Sequence, residues 1–96
     1  MIIHIALFRW KKNISKNHVG KIASELRLLK RKSEGLIDIF CGENFSNYSK
    51  GFDYGIVVLF KDKVSLETYR NLPEHKNLAQ EIEKIEEDSV GFDFEV

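Results

Sequence analysis

IIHIALFRW, residues 2–10, is rich in β-branched and aromatic side chains, shows no helical period and is closed by Lys11-Lys12, which predicts a strand. Successive side chains of a strand point to opposite faces. Here one face carries Ile3, Ile5 and Leu7 and the other Ile2, His4, Ala6, Phe8 and Trp10, so both faces are mostly apolar and both call for cover. A second stretch repeats the pattern: from Tyr54 to Lys61, Tyr54, Ile56, Val58 and Phe60 alternate with Gly55, Val57 and Leu59. Strands of this kind belong between two apolar layers, and the rest of the chain must supply them.

Working outward, Val19, Ile22, Ala23, Leu26 and Leu29 follow the i, i+3, i+4, i+7 spacing of an amphipathic helix, predicted at about 15–33. Its basic end, Arg27, Lys30, Arg31 and Lys32, suits the negative end of the helix dipole, and Gly35 supplies the stop. Leu36 to Gly42 alternates as a strand, and ENFSNYSKGFD, residues 43–53, reads as a loop. Asp62 is an N-cap for a short helix reaching about Leu72, and Pro73 breaks it and opens another, with Leu78, Ala79, Ile82 and Ile85 as the buried stripe. From Asp88 onward Val90, Phe92, Phe94 and Val96 alternate with Gly91, Asp93 and Glu95, a final strand.

The order strand, helix, strand, strand, broken helix, strand predicts one α+β domain over residues 1–96: a ferredoxin-like, four-stranded antiparallel sheet with helices on one face. Helices on one side leave the other apolar side bare. A second copy of the chain is the economical cover, giving a homodimer with a barrel-like core or an enclosed cavity.

Composition narrows the function without naming it. Fifteen Lys and Arg balance fifteen Asp and Glu, which argues against a nucleic-acid partner held by phosphate neutralisation. The single Cys41, with no CxxC or Cys/His spacing around it, argues against a disulfide scaffold or zinc module and fits the cytoplasm. Residues 2–8 lack the basic n-region of a signal peptide, and no membrane-spanning stretch is expected.

IHIALFRWK, GLIDIFCGENFS, GFDYGIVVLF, ETYRNLPEHKNLA and the closing VGFDFEV together resemble the stress-responsive A/B barrel (Dabb) domain family. The most specific part is Tyr69 followed by Pro73-Glu74-His75. The resemblance implies a dimeric α+β barrel. It says less about activity, since many members look like stress-associated proteins without an assigned reaction, while a plant polyketide cyclase of similar fold performs a cofactor-free aldol condensation. In the cyclase pattern a helix Tyr and a His after the Pro carry the chemistry and match Tyr69 and His75, and a first-strand His matches His4. The family's frequent His before the Pro is Leu72 here, and a third-strand His is Tyr54.

These five residues are the site candidates. His75, in the first turn of a helix, meets the positive dipole end that favours a neutral ring able to accept a proton, and is equally readable as a capping or interface histidine. Tyr69 is either an enolate stabiliser or a core ring with a wet hydroxyl. His4 either orients a ligand in an apolar cavity or is a satisfied core histidine. Tyr54 and Leu72 are expected to line the same pocket, with Leu72 making it drier. No i, i+4 His pair or HExxH spacing exists, so neither metal nor cofactor is expected. Trp10 and His75 alone give little support to a third class, the monooxygenase or haem-degrading barrels. The reading is thus a homodimer with a small apolar or aromatic ligand; the alternative is a cyclase- or lyase-like enzyme with His75 as general base and Tyr69 as enolate stabiliser.

Overall fold

A computed structural model describes residues 1–96. The elements are β1 (Ile2–Trp10), α1 (Lys16–Leu28) with a 3-10 turn at Leu29–Arg31, β2 (Leu36–Glu43), β3 (Tyr54–Phe60), α2 (Lys63–Asn71), α3 (Pro73–Ile85) and β4 (Glu86–Glu95). All pairings are antiparallel, in the order β2-β3-β1-β4, so the two strands apolar on both faces are the two central ones. That is the ferredoxin-like sheet expected from the sequence.

Local chemistry explains the boundaries. Ser15 caps α1 by accepting from the His18 amide at 3.1 Å. The helix tightens into a 3-10 turn at Leu29, so the continuous helix expected to about residue 33 ends earlier. Gly35 then takes a φ of 81°, with Ser65 packed where a Cβ would sit, so both the turn and the close approach require glycine. Asp62 caps α2 by accepting from the Ser65 amide and hydroxyl at 2.9 and 2.6 Å. Leu72 is extended, as the residue before a proline must be, and α3 restarts at Pro73. At its far end α3 passes straight into β4, two residues earlier than the alternation predicts; the Lys11 amide donates to the Ile85 carbonyl at 2.8 Å across this junction.

Register sorts the side chains into two faces. Ile39, Val58, His4 and Asp93 form a row across the sheet on the helix side, flanked by Ile56, Phe60, Ile2 and Phe8. Val58 and Phe60 are wholly buried there beneath Leu26, Leu66, Tyr69, Leu78 and Ile82. The intervening row, Phe40, Val57, Ile5 and Phe92, lies on the other side, where Phe40 is 53% and Phe92 62% exposed. A register shift between Leu36 and Asp38 lets Leu36 and Ile39 both bury on the helix side and leaves Ile37 exposed, so the strict alternation expected in β2 is broken at its start.

Candidate functional site

A cavity of about 210 Å3 lies between the helices and the helix-side face of the sheet. Its walls are apolar, from Ala6, Phe8, Leu26, Ile56, Leu78 and Ile82, and into them are set His4, Tyr69 and His75. Exposed Glu83 and Ser89 and half-buried Glu86 form its mouth. Three residues singled out in the sequence therefore meet in one place, delivered by β1, α2 and α3.

Tyr69 and His75 straddle the Pro73 break. Leaving the helical path at Leu72 and resuming it at Pro73 brings the two rings to 4.4 Å between centroids, tilted by 54°. Tyr69 also packs on Phe60 at 5.2 Å and is only 2% exposed. Burial, with the nearby Cys41 thiol, pushes its phenol well above the ordinary tyrosine range, so it stays protonated and able to donate. His75 Nδ1 is buried without a hydrogen-bond partner. Burial pulls the ring below the usual imidazole range; the Arg70 backbone opposes this, and the charges of His4 and Arg70 add to it. A neutral His75 ring is the result.

His4 sits in a different environment. Its Nδ1 lies 2.5 Å from Asp93 Oδ1, directly across the β1–β4 ladder, and Asp93 Oδ2 accepts from Arg70 Nη2 at 2.6 Å. Arg70 in turn donates to Glu67 at 3.1 Å. Partial burial raises the Asp93 carboxyl, but the hydrogen bonds from His4 and Arg70 outweigh it and hold the group below its usual range. An ionised carboxylate only accepts, so His4 Nδ1 carries the proton in this bond and Nε2 is left bare when the ring is neutral.

Tyr54 and Leu72 lie outside the cavity. Tyr54 shares the helix-side face but pairs with Phe8, four residues along from the Val58–His4 pair and hence about 13 Å away. Its ring is 5.9 Å from Trp10, and it lines a separate cleft of about 380 Å3 with Trp10, Ile14 and Ser15. Leu72 is half-buried at the α2–α3 break, where the extended backbone removes it from the register that aligns Tyr69 with His75. Sequence reasoning in turn missed Asp93, Arg70, Glu83 and Glu86. Half of the signal for Asp93 was available: His4 is the lone polar residue in the middle of an apolar strand and calls for a partner, but Asp93 shares its face of β4 with Ser89 and Glu95 and does not stand out. No group of three His, Cys, Asp or Glu side chains is placed to hold a metal ion.

An antiparallel sheet of order β2-β3-β1-β4 with its helices on one side and a pocket beneath them defines a ferredoxin-like α+β protein of the A/B barrel kind. The chain belongs to the stress-responsive A/B barrel domain family, whose profile matches residues 2–96. Among solved structures it is similar to an Arabidopsis thaliana protein, at 17% identity over 100% of this chain and 95% of that one, with a TM-score of 0.90. A dimeric ferredoxin-like protein of unknown function from Thermobifida fusca is 23% identical over 99% of this chain and 90% of that one, with a TM-score of 0.85. The hydroxynitrile lyase of Passiflora edulis is 16% identical over 99% and 92%, with a TM-score of 0.89. At these identities the likeness is one of fold. No curated protein matches the chain by sequence.

Proposed function

We propose that the protein is a homodimer whose subunits each bind a small, largely apolar ligand bearing a hydrogen-bond acceptor such as a carbonyl, in the cavity beneath the sheet. The observation that carries this reading is a pair of groups without protein partners in an apolar chamber, the buried His75 Nδ1 and the hydroxyl of Tyr69 beside it. Buried polar groups are ordinarily satisfied, and a ligand acceptor facing Tyr69 satisfies one of these. An engineered apolar cavity of about 150 Å3 accommodates benzene, so a chamber of about 210 Å3 suits a substituted ring. The homodimer rests on the bare apolar face of the sheet and on the dimeric state described for the Thermobifida fusca protein. The cytoplasm suits its single free cysteine.

The test is a titration with acetophenone, followed by the NMR shifts of the Ala6 and Ala79 methyls at the cavity wall. Binding should move both, and Tyr69→Phe should weaken it about fivefold, the worth of one hydrogen bond. Unmoved methyls, or equal affinity in the variant, count against the reading.

A second reading is catalytic, favoured by the His4–Asp93 pair. Abstraction of an acidic C–H next to a carbonyl needs a base and a donor to the developing enolate. The sequence points to His75 as that base, but burial works against its imidazolium. His4, oriented by its Nδ1–H bond to Asp93 with Nε2 left to accept, takes the part of the base in this reading, with Tyr69 and neutral His75 around the enolate oxygen. The Passiflora edulis neighbour, a hydroxynitrile lyase, lends support at the level of fold. Turnover in a panel of β-keto esters and hydroxynitriles, lost by at least about a hundredfold in His4→Gln, is the expected result; no turnover anywhere in the panel defeats it.

A further inference from the structure

The cavity is electrically one-sided. Its floor holds a neutral imidazole, a protonated phenol and the carboxylate-paired His4, while the ionised groups at its mouth are two carboxylates, Glu83 and Glu86. Neither makes an ion pair: the eight salt bridges of the chain leave both out, and no Lys or Arg lines the cavity. Lys84, between them in the chain, pairs with neither, and three further cations are engaged elsewhere. Lys11 donates to the Lys84 carbonyl at 3.1 Å, Arg9 lies against Glu87 and Asp88, and Arg70 is held by Asp93 and Glu67. The mouth also coincides with the C-terminal end of α3, where the helix dipole is negative.

We infer that this cavity selects cations: the ligand is a small aromatic or aliphatic amine whose largely apolar body, carrying the acceptor that faces Tyr69, fills the chamber and whose ammonium sits at the mouth between Glu83 and Glu86. The inference rests on the cavity reading above and adds the ligand's charge to it. Two independent features converge. The apolar chamber with its unpartnered Tyr69 hydroxyl, on a side chain 2% exposed, calls for an occupant, and the unneutralised carboxylate pair sets the sign of that occupant's outer end. An anion of the same shape would bring its carboxylate against two like charges with no cation to receive it, while burying that carboxylate deeper would leave it desolvated. A neutral ligand is indifferent to the mouth.

The experiment compares benzylamine, acetophenone and benzoate at pH 7.5, with the Ala6 and Ala79 methyl shifts as the readout of occupancy. Benzylamine should bind about tenfold more tightly than benzoate, the reach of two partly exposed charges, and the gap should narrow as sodium chloride rises from 20 to about 500 mM. In the Glu83→Gln/Glu86→Gln protein the ratio should fall towards one. The salt series needs no variant, so the inference remains testable even if the double substitution fails to fold. Benzoate binding as well as benzylamine, or a ratio that ignores both salt and the double substitution, overturns the cation preference while leaving the cavity reading intact. Silence of the methyls towards all three compounds overturns both.

Discussion

The two faces of one sheet are built from nearly equal stocks of apolar side chains and meet opposite fates. On the helix side, Ile2, Ile39, Ile56, Val58 and Phe60 are buried within the chain, Val58 and Phe60 completely. On the other, Phe40, Val90, Phe92 and Phe94 stay open, with Phe92 and Phe94 side by side at 5.8 Å. The first face is finished by local rules of helix amphipathicity; the second stays bare within the chain, and the proposed homodimer is what would cover it. Apolarity alone therefore marks what must be covered, and the position of the helices decides what covers it.

Substitutions on the two faces should behave differently in kind. Phe60→Ala, which empties a fully buried site against Tyr69, should cost about 3–5 kcal/mol of stability in urea unfolding, independent of protein concentration. Ile5→Asp places a charge at the centre of the open face, between Val57 and Phe92, and should weaken association by at least about a hundredfold in equilibrium sedimentation. A wild-type protein that stays monomeric at micromolar concentration would break the comparison outright. Phe92→Ala sharpens it: its effect on the melting temperature should grow on dilution, as that of a coupled folding and association equilibrium does, and that of Phe60→Ala should not.

A smaller effect crosses the comparison at the sheet edge. Asp93 is held below its usual range, so its contribution is complete above about pH 4 and is lost as pH falls through its lowered folded value. Asp93→Asn should cost about 1 kcal/mol at pH 7, a value already discounted for a side chain 35% open to water, and should flatten the acid limb. His75 gives the smallest signal. Because burial lowers its pKa, the folded state resists its protonation, so stability is full above about pH 6.5 and declines as the solution is acidified below it. His75→Phe should remove that part of the decline between pH 7 and 5, measured as the difference between two urea midpoints.

Elements whose signals are local were readable in the sequence. The alternation of β1 and β3, the Ser15 and Asp62 caps and the Pro73 break lie within a few residues of what they specify. The site was half readable for the same reason: Tyr69 and His75 are brought together by one turn, so a short motif carries both. His4 and Asp93 meet only through the β1–β4 register, 89 positions apart, and no window along the chain contains that pairing. Tyr54 shows the converse error. Sharing a face with His4 was legible, but distance along that face depends on which residues pair, and Tyr54 pairs with Phe8.

The strand order carries a further consequence, in time. β1 is the first strand to be synthesised and occupies the middle of the sheet, yet its partners β3 and β4 follow about 50 and 85 residues later. At a synthesis rate of roughly 5–20 residues per second, this largely apolar strand is without its last neighbour for about 4 to 17 s. Through that interval IIHIALFRW has open strand edges and two uncovered faces, the state most prone to pair with another nascent chain. Lys11 and Lys12, directly after it, put charge beside the exposed segment while it waits.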